Sequence, residues 1–311
     1  MKHLLKLMDL SAEDISGILN MADQLKYERR HGIAHPHLAG KTLGMIFQKS
    51  STRTRVSFEV GMYQLGGAAL FLSAGDLQIG RGEPVKDTAR VLSRYVDGIM
   101  IRTFSQKEVE DLAKYGSIPV INGLTDLYHP CQVLADLMTV REYKGRLEGL
   151  KLCYIGDGNN MANSLIVGGL KTGMHVSVAT PKGYEPDAGV LEFAKDYQGF
   201  ALTRDVLEAA EGADVICTDV WASMGQEAEA EARRRAFEGV YQVNDQVMAA
   251  ARPDAMVQHC LPAHREEEIT DKVFEAHANE IFDEAENRLH VQKAVMVMLM
   301  GEERPSVPSY I

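Results

Sequence analysis

The chain has 311 residues, 45% of them hydrophobic and 25% charged; at roughly 150 residues per domain this points to two cores, and the composition excludes global disorder. Acids outnumber bases, 44 against 33, for a formal charge of −11. Such a surface repels nucleic-acid phosphates and anionic lipid, so any anionic ligand needs a local basic pocket.

The cysteines, Cys131, Cys153, Cys217 and Cys260, stand apart, with no C-x-x-C pair to suggest a zinc ribbon or a thioredoxin-type centre. They read as reduced thiols. No apolar run is long enough to span a bilayer, and the opening MKHLLKLMDLSAED has neither a signal-peptide core nor an Arg-rich transit pattern. The expectation is a cytoplasmic protein.

In chain order, Ser11 can cap a helix that runs through Ile15, Ile18, Leu19, Ala22 and Leu25, with Asp14 complementing its dipole. Strand and helix then alternate: strand 42–47, helix 52–65, strand 68–72, helix 85–95, strand 98–101, helix 106–115, strand 118–121, and a helix opening near Pro130. The segment YKGRLEG at 143–149 reads as a boundary. The alternation restarts with strand 151–155, helix 161–172, strand 175–179 and helix 188–197. Short strands follow near 201–203, 214–218 and 255–259. Residues 227–238, rich in Ala, Glu and Arg, read as an exposed helix, and a last helix with a Met/Val/Leu stripe covers about 284–300. Such alternation implies α/β domains with parallel sheets flanked by helices.

Ligands of open parallel sheets bind beyond the carboxyl ends of strands. Those ends carry the unusual residues: Gln-Lys-Ser-Ser-Thr-Arg-Thr-Arg after Phe47, Arg102 after Ile101, and a loop ending in His129-Pro130-Cys131-Gln132 after Ile121. In the second half they are Gly-Asp-Gly-Asn-Asn after Ile155, Asp-Val-Trp-Ala-Ser-Met-Gly after Thr218, and Cys260-Leu261-Pro262 after His259. The simplest geometry is one cleft between two domains. Ser51-Thr-Arg-Thr-Arg55 sits at a strand-to-helix junction, where free N–H groups, hydroxyls and a guanidinium suit a phosphate. Helix positions two apart face different ways, so Arg53 is assigned to the ligand and Arg55 to a structural ion pair. The plainer alternative is a capped helix with solvated arginines; this is not a Walker loop, lacking its glycines and lysine.

With F-Q-K-S-S-T-R-T-R at 47–55, H-P-C-Q at 129–132 and H-C-L-P at 259–262, the sequence resembles the aspartate/ornithine carbamoyltransferase family. D-x-W-x-S-M-G at 219–225 and the Cys of H-C-L-P resemble its ornithine-type members. The resemblance runs from Lys41 to the last helix. It implies two parallel-sheet α/β domains with helices on both faces, linked by two long helices. Residues 1–142 would bind carbamoyl phosphate and 143–285 ornithine, with the C-terminal helix, about 286–311, packing back on the first domain. It further implies a homotrimer or a multiple of trimers, with Gln78 lent to a neighbouring site, and no cofactor or metal.

By the same resemblance, Ser51, Thr52, Arg53, Thr54 and Arg102 hold phosphate, and Thr54, Arg102 and His129 point donors at the carbonyl oxygen. Gln132 and the Leu261 carbonyl hold the carbamoyl NH2, with Arg288 shaping the pocket. Asp219 pairs with the ornithine ammonium, Asn160, Ser223 and the Met224 backbone hold its carboxylate end, and Cys260 orients both substrates. The expected reaction gives L-citrulline and phosphate from carbamoyl phosphate and L-ornithine. Rival acceptors are putrescine and N-acetylornithine. Gly156-Asp-Gly158 also tempts a reading as a two-domain NAD-dependent dehydrogenase, but Met161 stands where that fingerprint needs Gly or Ala. His259, Cys260 and His264 match no standard zinc spacing, and His259 is expected to order its strand end.

Overall fold

The computed structural model describes residues 1–222 and 229–301. Helix α1 (Ala12–Arg30) opens on a reciprocal capping box. The Ser11 hydroxyl accepts the Asp14 N–H at 3.0 Å and the Asp14 carboxylate accepts the Ser11 N–H at 3.2 Å. Asp14 is thus a capping partner as well as a charge near the dipole.

The first sheet is built by β1 (Thr42–Phe47), α2 (Thr52–Gln64), β2 (Ala68–Ser73), α3 (Val85–Leu92), β3 (Gly98–Arg102), α4 (Gln106–Tyr115) and β4 (Val120–Leu124). Helix α5 (Pro130–Lys144) leads to the second, made of β5 (Lys151–Ile155), α6 (Asn160–Lys171), β6 (His175–Ala179), α7 (Ala188–Ala194), β7 (Phe200–Thr203), α8 (Val206–Ala210) and β8 (Val215–Thr218). Then come α9 (Ala230–Phe237), α10 (Asp245–Ala250), β9 (Met256–His259), α11 (Asp271–Ala276) and α12 (Ala278–Met300). Every strand pairing is parallel. Strand order is β2-β1-β3-β4 in the first sheet and β7-β6-β5-β8-β9 in the second. Both orders reverse direction at their first strand, placing a switch point between β1 and β3 and another between β5 and β8. Apart from Thr42, Arg102 and Lys151 at their ends, β1, β3 and β5 are apolar, because helices cover both sheet faces.

Several expectations shift. Strand β4 starts at Val120, not at residue 118, because Pro119 has no N–H for the ladder. Its carbonyl still accepts from Ile99. Helix α12 begins at Ala278, well before 284 or 286, and residues 302–311 lie outside the described residues. Helix α9 is not an exposed helix throughout: Arg233 and Phe237 are buried. Residues 227 and 228 lie outside the described residues. Helices α8, α10 and α11 went unread in sequence; each is short and announced only by its cap, Asp205, Asn244 or Thr270.

Helices α5 and α12 form the interior frame. Pro130–Val140 is buried at every position, and α12 packs on α5, α1 and α2. Lys26 of α1 donates to Glu142 of α5 and Asn287 of α12, both at 2.7 Å. Helix α6, beside the second sheet, meets α5 through Gly168, where an added Cβ would lie 2.7 Å from Val133 Cγ1 and 3.1 Å from Leu7 Cδ1. The missing side chain lets α6 come close to α5 and Leu7. Gly168→Val should overpack this contact and cost about 1–3 kcal/mol, seen as a lower midpoint of urea unfolding.

Candidate active site

A cavity of about 490 Å³ lies where the carboxyl ends of the two sheets face each other, a size suited to small metabolites. Its floor comes from the first sheet. Ser51 caps α2, its hydroxyl accepting the Thr54 N–H at 3.1 Å while keeping its own proton to donate. One turn in, Arg53 lines the cavity, whereas Arg55 turns away to pair with Glu59 at 3.0 Å. The next strand end supplies Arg102, at the point where the β3–β4 register breaks. Beyond β4, His129 precedes Pro130 as the cap residue of α5, and its own N–H donates to Ser164 of α6 at 2.8 Å. From α12, Arg288 donates to the Thr54 hydroxyl at 2.7 Å. Lys49, held by Asp126 and lying over the Phe104 ring, completes the cationic wall.

The charges are crowded. Burial, and then repulsion by Arg288 and Arg53, lowers Arg102 to about 10, and burial lowers Arg288 as well. Both stay charged at neutral pH. His129 is pushed well below its ordinary value by burial and by the arginines around it, so its ring is neutral and donates a single N–H. Nδ1 of His129, Nε of Arg288 and Oε1 of Gln132 are buried without a hydrogen-bond partner among the described residues. Such orphaned atoms are costly, and a ligand that pairs with them repays that cost.

The facing wall comes from the second sheet and is acidic and amidic. Asp219 Oδ1 accepts from the Val220 N–H at 2.8 Å and from the Cys260 thiol at 3.1 Å, and Oδ2 accepts from Asn159 at 2.8 Å. Asn160 lines the cavity and donates to the Thr125 carbonyl at 2.7 Å. Burial, and then the Asp219 charge beside it, pushes the Cys260 thiol well above its ordinary range, so it is a protonated donor rather than a thiolate. Leu261 lies in the left-handed region at φ 58°, with its N–H donating to His259 Nδ1 at 2.9 Å. His259 Nε2 therefore carries the proton and donates to Glu268 at 2.9 Å. His259 does order the strand end.

Ser51, Arg53, Arg102, His129, Asn160, Asp219, Cys260, Leu261 and Arg288 all line this one cavity. Thr54 is buried just behind it under Arg288, and Gln132 is buried with its amide turned to Asp136 and Glu284. Thr52 is exposed on α2, and Gln78 is exposed in the turn Gln78–Arg81; neither lines the cavity. Ser223 and Met224 lie outside the described residues.

Sequence reasoning placed Lys49, Asp157 and Asn159 at strand ends facing the expected cleft without giving them a role, and missed Arg233. Arg233 donates to Asp157 at 2.6 Å and to the Trp221 carbonyl at 3.2 Å, and lies over the Tyr184 ring. Asn159 was within reach of sequence reasoning, as an N-cap residue ahead of an apolar helix. Gly158 has a packing role: a Cβ there would lie 2.3 Å from the backbone of Glu185 and Pro186. The N–H groups of Met161 and Ala162 are spent on the Asn159 side chain. This turn is therefore not built around a dinucleotide pyrophosphate.

Comparison with known proteins decides the family. Residues 2–142 match the carbamoyl-P binding domain of aspartate/ornithine carbamoyltransferase, and residues 148–299 match its Asp/Orn binding domain. The chain belongs to the aspartate/ornithine carbamoyltransferase family. It is 60% identical over 302 residues to the ornithine carbamoyltransferase of Syntrophotalea carbinolica, covering 96% of this chain and 99% of that one. Ornithine carbamoyltransferase from Pyrococcus furiosus superposes with a TM-score of 0.92 at 55% identity, over 97% of this chain and 98% of that chain. The Giardia lamblia enzyme, ornithine transcarbamoylase, still gives 0.86 at 31% identity, over 97% and 99%. Membership in this family sets the dehydrogenase reading aside. Among the described residues no helix is long and apolar enough to cross a membrane.

The thiol assignment has a direct readout. Cys260 lines the cavity, yet at pH 8 iodoacetamide should alkylate it far more slowly than a free thiol of pKa about 8.5. Peptide mass spectrometry would measure the rate, and rapid modification would mean a thiolate.

Proposed function

We infer that the chain transfers the carbamoyl group of carbamoyl phosphate to the side-chain amine of L-ornithine, giving L-citrulline and phosphate. The observation that carries this reading is the polarity of the cavity. Lys49, Arg53, Arg102 and Arg288 crowd one wall, and Asp157, Glu185, Asp187 and Asp219 line the other. A small dianion suits the first wall and a diamino acid the second. The relatives named above, ornithine enzymes over their full lengths, point to the same acceptor.

Acyl transfer makes two electrostatic demands: an oxyanion must be stabilised as the amine attacks, and the leaving phosphate must be neutralised. Ser51, Arg53, Thr54 and Arg102 hold the phosphate, and Thr52, whose side chain faces solvent, contributes only its main-chain N–H at the start of α2. Arg102, Thr54 and neutral His129 donate to the carbonyl oxygen. Gln132 and the Leu261 carbonyl receive the carbamoyl NH2, beside Arg288. The attacking amine has a reference pKa near 10.4 and must be neutral to attack. Enclosure in a water-poor site lowers the cost of that deprotonation.

A carboxylate offers about four acceptor positions. Three of those on Asp219 are taken, leaving Oδ2 one place for the ornithine α-ammonium. Asn160, Ser223 and the Met224 backbone hold the carboxylate end. Cys260 fixes the Asp219 carboxylate and takes no covalent part. The enzyme acts in the cytoplasm.

The protein works as a homotrimer or a multiple of trimers. Supporting this, β2 is an edge strand with Leu70 and Phe71 exposed, and the adjoining α2 exposes Val56, Val60 and Tyr63. Gln78 follows β2 closely, so a neighbour docked on that edge receives it at its own site.

A citrulline assay offered ornithine, putrescine, N-acetylornithine and aspartate should favour ornithine by a wide margin; best turnover with aspartate would refute the acceptor assignment. Arg53→Ala should raise KM for carbamoyl phosphate, and His129→Ala should lower kcat about 100- to 1,000-fold. In sedimentation, Phe71→Lys should shift the wild-type mass, three times the 34.3 kDa chain or a multiple of that, toward a single chain.

A further inference from the structure

Both N–H bonds of the Gln132 amide are spent before any ligand arrives. Nε2 donates to Asp136 Oδ1 and to Glu284 Oε1, each at 2.8 Å. Oε1 is buried without a hydrogen-bond partner among the described residues. The amide keeps this orientation because a flip would set its carbonyl lone pairs against two carboxyl groups whose proton is engaged between Asp136 and Glu284 themselves. Glu284 is itself fixed from the opposite sheet: its Oε2 accepts the His259 N–H at 3.0 Å, one residue before Cys260. Asp136 is anchored on the same side, its main-chain carbonyl accepting from Gln258 at 2.9 Å. Burial raises Asp136 to about 7, and burial followed by the Asp136 charge raises Glu284 well above the carboxylate range. The two carboxyls therefore hold a proton between them at neutral pH. Phosphate binding gains nothing from a buried acid pair, which works against a dianion. The pair does supply two acceptors that orient an amide.

We propose that Glu284 and Asp136 are positioning residues that lock the Gln132 amide with its carbonyl oxygen toward the transferred group, so that the site selects a carbamoyl donor over an acyl phosphate carrying a methyl in place of the NH2. The selection rests on the function inferred above. Amino and methyl groups are close in size, so shape separates them poorly. Only the amino group satisfies the orphaned Gln132 oxygen; with a methyl that carbonyl stays buried and unpaired, which is worth about ten- to a hundred-fold in binding. Glu284→Gln removes the device. Its amide has one oxygen for two donors, the His259 N–H and Gln132 Nε2, and the conflict is relieved when Gln132 flips and turns an N–H on the ligand's N–H. Asp136→Asn preserves the pattern, with an oxygen for Gln132 and an N–H for Glu284.

Two stable probes differ only at this group: phosphonoacetamide and its methyl-ketone counterpart, 2-oxopropylphosphonate. Calorimetry on the full chain should give wild type a preference for the amide of about ten-fold or more. In Glu284→Gln the two affinities should converge, while the ketone, which reports the phosphate side of the site, binds within about three-fold of wild type, the usual scatter of such comparisons. Asp136→Asn should keep the preference. A wild-type preference surviving in Glu284→Gln, or one lost equally in both variants, overturns the proposal. Should Glu284→Gln not fold, the wild-type crystal structure with phosphonoacetamide decides: Gln132 Oε1 on the ligand nitrogen supports the lock, and Nε2 there refutes it. Failure of wild type to bind either probe or to form citrulline would instead refute the inferred function.

Discussion

Like charges are held together before their ligand arrives. Two cations about 4 Å apart at an effective dielectric of 20 repel by about 4 kcal/mol; beyond burial itself, Arg288 and Arg53 lower the proton affinity of Arg102, Arg53 lowers that of Arg288, and all three lower that of His129. The scaffold carries this repulsion. Arg53 is fixed by a capped helix start, Arg102 by a strand flanked on both sides, and Arg288 by a helix wedged against α5, α1 and α2. A site already arranged for negative charge needs little reorganisation when that charge develops. The cationic wall stands out against an overall charge of −11.

The two sheets do not contribute independently. The loop bearing His129 is bonded from α6 by Asn160 to Thr125, Asn163 to Leu127 and Ser164 to His129 itself. The donor side of the cavity therefore takes part of its geometry from the acceptor side. Close packing of α5 on α6 at Gly168 keeps those bonds in reach, which ties a glycine in the packed interior to the placement of the His129 imidazole.

Much of this was legible in the sequence because its signals are local. Parallel strands buried on both faces read as short apolar runs, so β1, β5 and β6 fall where the pattern sets them. Spacing alone separates Arg53 from Arg55, and Glu59 then sits one turn on. What stayed hidden depends on partners far along the chain. Asp157 meets Arg233 across 76 positions and Lys49 meets Asp126 across 77. An Ala-, Glu- and Arg-rich segment gives no sign of which arginine turns inward, so α9 read as a solvated helix. Glu284 carries no motif of its own; its importance appears only when α12 lies against α5 and the end of β9.

Asp219 shows how a neutral neighbour tunes a charged one. A serine at position 260 would donate a stronger hydrogen bond than a thiol and draw more of the carboxylate's charge to itself. A thiol held protonated by burial and by Asp219 fixes the carboxylate's direction and is a weaker donor than a hydroxyl. With the Val220 N–H and Asn159 occupying the other acceptor positions, one lone pair on Oδ2 is left for an ammonium group. Cysteine is then the better residue here for its weakness as a donor, and its reactivity as a nucleophile is held in check by the same carboxylate it steadies.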